Sequence, residues 1–499
     1  MATITFQFNK GAFQNVDQTE LSDPSYGVLQ RNLLTTDAGG LIKRPLFYTI
    51  AEAGSYPIVG MTFFKENIVV VMENRRIIAY SSAGVETDIT GSSTLEGDDR
   101  PTFDSDGDYL AIAGGGQIKV WSGTGNTSDM AGSPPDSADI IQSDGYWLAL
   151  VRADGEVQFA GPTATSRLTW NANDFFQAER DPDDGQALTK LGREVYVWGT
   201  NTIEIFQNVG DSTTPFRPVY LVEKSGTRSP RSIVQADSSF FYLNTNRQFM
   251  QLQGRQPVLI SSPYDRVIKA LETVTDCYGY EIEIGGYYLI VWQFPTEDLC
   301  VVYDYKNKQW SEWTGEYINQ QDEPCPFGAA VKADTWTKTN IVGLNNGRVC
   351  YAAFSVAASS TFTAISDQSE PSPSSQIGTA GSVIDEPSAT PQQIRFRHRS
   401  GIIDHGTSAL KRNKRYTLTV KRGTGSYSFN PQVMIRFKDD DKGWSDWTNF
   451  ELGLTGDFES SFDLRNTGVY QRRQIEIMMT DSAELILTKF EEEFDVRVR

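Results

Sequence analysis

Histidine is almost missing from this sequence: His398 and His405 are the only two in 499 residues. Serine-histidine-aspartate catalysis and multi-histidine zinc sites therefore have almost no material, which removes most hydrolases and zinc enzymes. Cysteine is scarce too. Cys277, Cys300, Cys325 and Cys350 are widely spaced, with no C-x-x-C pair and no neighbouring histidine, so they read as four buried, reduced strand thiols rather than as a metal site or a disulfide framework. No apolar run approaches the roughly 18 residues needed to cross a bilayer, and the opening MATITFQFNKG lacks the basic-then-apolar pattern of an export signal. The expectation is a soluble protein.

Positive charge is also in short supply, with 45 Lys and Arg against 64 Asp and Glu. The deficit is uneven. Residues 1–390 carry 27 basic and 48 acidic side chains, whereas residues 391–499 carry 18 and 16, so at least two regions have different surroundings. An acidic body repels phosphate and is a poor starting point for a protein that wraps or slides along nucleic acid.

What the sequence does have is β pattern and repetition, clearest over residues 186–254. Arg193 to Trp198 is a short apolar strand, Gly199-Thr200-Asn201 turns, and Thr202 to Phe206 returns; Ser238 to Leu243, Asn244 to Asn246 and Gln248 to Leu252 repeat the unit. A lone hairpin cannot bury its face. Seven such units occur between residues 59 and 354, and Asn67, Gly107, Gly145, Arg193, Ser238, Gly286 and Thr339 hold comparable turn positions at spacings of 38 to 53 residues. A period of about 40–50 residues with short strands is the pattern of propeller blades, each burying both faces against its neighbours. The prediction is all-β: a propeller of six or seven blades, seven favoured, over residues 46–351, preceded by an N-terminal extension over 1–45. A Ser/Thr/Pro-rich linker or mobile loop follows over 352–392, then a C-terminal antiparallel sandwich or barrel over 393–499, where six segments alternate with period two.

Candidate chemistry is thin. Asp104-Ser-Asp106-Gly-Asp108 resembles part of a calcium loop, but its glycine is misplaced and Gly115 stands where the last ligand belongs, so an acidic turn is the reading. Asp181-Pro-Asp183-Asp184-Gly185 and Asp439-Asp440-Asp441 likewise read as solvated turns. Gly114-Gly115-Gly116 lacks the Lys-Ser/Thr of a phosphate loop and reads as a hairpin turn. Trp310-Ser-Glu-Trp313-Thr and Trp444-Ser-Asp-Trp447-Thr match each other across two regions; stacking on sugars is one use, strand-end packing the plainer one. The basic cluster Arg395-Phe-Arg-His-Arg399 with Lys411-Arg412-Asn-Lys414-Arg415 reads as a wet strand face or partner surface before a phosphate contact. No catalytic, cofactor or metal residue is assigned. The residues alone lead to a binding or structural protein, with a propeller lectin or glycosidase and a cytoplasmic propeller scaffold as alternatives.

An ordered series of short motifs resembles the tail nozzle, or hub, proteins of short-tailed bacteriophages, also called packaged-DNA stabilisation proteins. The matching residues are Arg31-Asn32, Gly39-Gly40, Lys43-Arg44-Pro45, Leu191-Gly192-Arg193, Trp198-Gly199, Thr202-Ile203-Glu204-Ile205-Phe206, Asn208-x-Gly210, Pro215-Phe216, Gly226, Ser229-Pro230 and Ser232-Ile233, with Gly468-Val-Tyr-Gln-Arg472-Arg473-Gln-Ile475 near the end. The resemblance implies a non-enzymatic virion tail protein, assembled in the host cytoplasm. It further implies a homo-hexameric ring below the portal-adaptor ring, contacting a fibre, spike or needle, with double-stranded DNA passing through the lumen without sequence-specific binding.

Overall fold

The computed structural model describes residues 2–6, 8, 10–15, 26–36, 38–52, 54–152, 155–163, 166–178, 183–314, 327–332, 340–354, 396–421, 432–440, 442–452, 459–479 and 486–496. The expected linker at 352–392 lies almost wholly outside them, as do Thr339, Cys325, Asp181, Arg395 and Asp441.

Among the described residues, six four-stranded antiparallel sheets stand alone, and a seventh four-strand unit is continuous with a larger sheet. Their innermost strands, in chain order, are Ile58–Phe64, Thr102–Ser105, Ile140–Ser143, Gly185–Leu191, Val234–Ala236, Tyr278–Ile284 and Phe327–Lys332. They define blades one to seven around one axis, and the ring closes where the last packs on the first. Strand alternation explains why the blades need each other. In blade one Val69 and Val71 join Leu110, Ile112 and Trp121 of blade two, while Ile68 and Val70 point the other way and join Ile341 and Val349 of blade seven. The same device recurs around the ring, with Leu148 against Val197, Trp198 against Phe240, and Phe241 against Trp292. The turns expected at Gly107, Gly145, Arg193, Ser238 and Gly286 each join the first and second strands of a blade.

The N-terminal residues close the molecule. Five strands come from them: β1 (Ala2–Phe6), β2 (Gly27–Arg31), β3 (Leu33–Thr35), β4 (Leu41–Lys43) and β5 (Leu46–Glu52). β5 is the outermost strand of blade seven, paired with Arg348–Ala353, so the first strand of the propeller region completes the last blade. The stretch expected as an extension supplies β1 to β4 to the C-terminal sheets. β1 and β4 pair with Ile486–Val496, and β2 pairs with Phe396–Ser400. β2 also meets the outer strand of blade six, Gln309–Glu312, through Arg31 opposite Glu312, which makes blade six and half of the C-terminal domain one nine-stranded sheet.

That half, Phe396–Ser400, Arg473–Met479, Gln432–Asp439 and Thr448–Glu451 beside β2, faces a second sheet of β3, β4, Ile486–Val496, Lys411–Lys421 and Glu459–Arg465. Phe396, Ile435, Phe437, Ile475 and Ile477 from one sheet and Tyr416, Leu418, Leu487 and Phe490 from the other share the core, which makes the C-terminal domain a sandwich.

Candidate interaction surface

One end of the propeller axis is filled by side chains. Arg100, just before blade two, donates through Nη1 to the carbonyls of Val59 (3.1 Å) and Gly328 (2.7 Å) in blades one and seven, and its guanidinium lies 3.3 Å from the Tyr278 ring of blade six. Arg231, between blades four and five, reaches Asp139 (2.6 Å) and the Ala138 carbonyl (2.8 Å) of blade three. Arg152 completes this group by pairing with Asp139 and Asp99, both at 3.0 Å. Each of the first two arginines spans blades that are not neighbours, so the axis is a packed polar plug at this end.

The acidic turns singled out in the sequence serve the fold. Asp104 accepts from the Gln142 amide (2.7 Å) and pairs with Lys190 (2.5 Å), while Asp106 and Asp108 share Arg167 at 3.0 and 2.9 Å. Asp183 is no loose solvated turn. Its carboxylate accepts from the amides of Thr200 (2.9 Å), Asn201 (2.6 Å) and Thr202 (2.8 Å), pinning the hairpin turn of blade four. A Cβ on Gly199 would overlap that carboxylate, and one on Gly226 would overlap the Gly199–Asn201 backbone, which is why both motif positions are glycine. Gly114 to Gly116 do join two strands, and their missing side chains admit Leu95 and Glu96 above them. Cys277, Cys300 and Cys350 are buried, as expected.

The two tryptophan motifs part company. Trp310 is buried against Trp292, Tyr303, Phe249 and Tyr264, and Trp313 is buried beside Arg44 and Phe47. Trp444 and Trp447 instead lie half-buried over the outward face of the sandwich. There the Arg399 guanidinium is 5.0 Å and that of Arg436 4.8 Å from the Trp444 ring, and Arg436 is 4.3 Å from the Trp447 ring.

Those arginines converge on Glu476. Arg397 Nη2 donates to its Oε1 at 2.7 Å, Arg399 Nη2 to the same oxygen at 3.3 Å, and Arg436 Nε to Oε2 at 2.6 Å. Burial would raise the Glu476 carboxyl, but the guanidiniums of Arg399 and Arg397 hold it below the usual carboxylate range; burial in turn pushes Arg399 down. Glu476 is 0% exposed, whereas Arg397, Arg399 and Arg436 keep 17%, 18% and 21% of their side chains at the surface. The result is a plate of arginines and tryptophans around Glu476. The sequence showed Arg397, Arg399 and the tryptophans but not their meeting with Arg436 and Glu476, which depends on the register placing Arg399 and Arg436 on either side of Glu476. The other half of the basic cluster is elsewhere: Lys411 is buried in the opposite sheet, donating to the Gln471 carbonyl at 2.7 Å, and Arg415 pairs with Glu493 at 2.5 Å.

Both histidines are inside the sandwich. His405 Nε2 lies 3.1 Å from Glu492 and 3.0 Å from the Tyr470 hydroxyl, and its ring stacks on Phe494 at 3.9 Å. Burial would raise Glu492; hydrogen bonds from His405, Tyr470 and Asn413 outweigh it and hold the carboxyl low. Arg473, from the closing motif, is fully buried and donates to both oxygens of Asp439 at 2.5 and 2.6 Å. His398 packs edge-on to Phe8 at 4.6 Å, and burial drives its pKa down to about 3.

One known protein family agrees with this architecture. The family described as "Bacteriophage P22 Gp10, beta-propeller" matches residues 55–315, just over half of the chain. No curated protein matches. Among solved structures, the crystal structure of the computationally designed Ika8 protein is similar at 12% identity and a TM-score of 0.38, over 61% of this chain and 99% of that one. The matched span takes in blades one to six, whose inter-blade cores and turn glycines have just been described; the chain belongs to the bacteriophage P22 Gp10 β-propeller family and is a phage structural protein.

Proposed function

We propose that this chain is a non-enzymatic tail nozzle, or hub, subunit. In this reading it forms a homo-hexameric ring below the portal and its adaptor ring, extends the DNA channel, retains or guides the genome and carries a fibre, spike or needle. The observation that carries the reading is the family match across the propeller. Two features support it. Arg100 and Arg231 plug the propeller axis at one end, so a conduit for DNA would lie between copies rather than through one. The body is acidic, and a lumen lined by carboxylates would let phosphates slide rather than stick. Trp310 and Trp313 are core, so the glycan reading would rest on Trp444 and Trp447 alone, whose rings lie beside arginines.

The test is light scattering coupled to size exclusion, run on the protein alone and with purified portal-adaptor complexes. Docking as a ring is expected. A protein that ignores those complexes and binds or cleaves a glycan panel would overturn the proposal.

A further inference from the structure

One stretch of this chain concentrates its acidic surplus at the surface. Between residues 82 and 136 every exposed charged side chain is a carboxylate, among them Glu86, Asp88, Glu96, Asp98 and Asp129. The cations of that stretch turn inward, Arg100 onto the Tyr278 ring and Lys119, 3% exposed, against Asp129. Glu86 and Asp88 lie on the outermost strand of blade one and Asp129 on that of blade two, an acidic rim in which the half-exposed Arg76 pairs with Asp88 at 2.7 Å, with exposed Glu86 beside it. The Arg-Trp plate of the sandwich is its chemical complement.

From this pairing we infer that the plate is a docking surface for the acidic rim of a second copy of this chain. Arginine and tryptophan are the side chains that dominate protein interfaces, and here both are pre-ordered, the guanidiniums by Glu476 and the rings by stacking. Phosphate backbones are gripped by side chains that reach out. About four-fifths of each plate arginine is covered, which suits a matching protein face better than a duplex. A contact between two different surfaces of the same chain is heterologous, the kind that builds rings. The inference rests on the ring reading above and gives it two named faces.

Sedimentation of the full-length protein over a range of concentrations and salt tests it, using Arg436→Gln, which leaves Arg397 and Arg399 on Glu476, and the rim variant Glu86→Lys. The wild type should associate, less so at high salt, and each variant should weaken association by about tenfold or more. An equimolar mixture of the two should recover a pair that grows no further, because one copy supplies the intact rim and the other the intact plate. Wild-type strength in both variants would overturn the docking surface and leave the ring reading standing. A chain that never associates, alone or on portal-adaptor complexes, would overturn both. Binding of a short DNA duplex that Arg436→Gln abolishes would put phosphate on the plate and overturn the inference.

Discussion

The same five-residue pattern, Trp-Ser-acid-Trp-Thr, ends up in opposite environments in the two halves of the molecule. In blade six Trp310 and Trp313 are buried, and Glu312 between them pairs with Arg31 at 3.1 Å, tying the propeller to β2. In the sandwich Trp444 and Trp447 lie half outside on a bed of arginines, and Asp446 is exposed. The motif supplies aromatic area; the neighbours decide its use. More broadly, the propeller is stabilised by apolar seams between blades, whereas the sandwich buries an unusual share of charge, with Arg473, Glu476, Glu492 and Lys411 all enclosed. Buried ions stabilise only when fully paired, so the sandwich is the half with most to lose when a partner is removed.

The sharpest way to break this contrast is to remove residues 1–43. The sandwich would lose β1 to β4 while β5 stays to close blade seven. Limited proteolysis should then show residues 396–496 digested and the propeller resistant; a resistant sandwich would mean that its own strands suffice. Next in size, Trp310→Ala should cost about 3–5 kcal/mol of propeller stability in calorimetry, because it empties an aromatic core, and a loss under about 1 kcal/mol would contradict that packing.

Acidification should act on the sandwich first. His398 has a folded pKa of about 3, below its unfolded value, so the unfolded chain binds more protons between about pH 6.5 and pH 3. Stability present above pH 6.5 is therefore lost as the pH falls, by about 2 kcal/mol at pH 5 from this group alone. Glu476 is the charge that opposes this, and it is held by arginines throughout. Denaturant midpoints of wild type and His398→Phe should diverge across this window; parallel curves would rule out a neutral buried histidine. The smallest expected effect is that of Trp447→Ala, within about 0.5 kcal/mol in stability while weakening self-association. A large stability loss would make Trp447 a core residue like Trp310.

Much of the propeller was legible because each blade is local: strand, turn and return lie within a few residues, and the turn positions at Gly107, Gly145 and Gly286 mark the period. The joins were not legible. β3 and β4 are three residues each, too short to show alternation, and the partner of β4 lies more than 400 residues away. β5 precedes blade one in the chain, and nothing local says that it belongs to the last blade. The plate was half visible for the same reason: Arg397 and Arg399 sit together in sequence, but Arg436 and Glu476 come from two other strands and only register unites them. Asp183 looked like a solvated turn because three amide donors 17 to 19 residues on leave no local signal.

The most direct test of the account as a whole is cryo-electron microscopy of the protein bound to portal-adaptor complexes. The expected structure is a six-fold ring with the plate of each copy on the acidic rim of the next and an open lumen between copies. A structure in which the chain stays off the portal-adaptor axis, or in which DNA threads the propeller past Arg100 and Arg231, would contradict it.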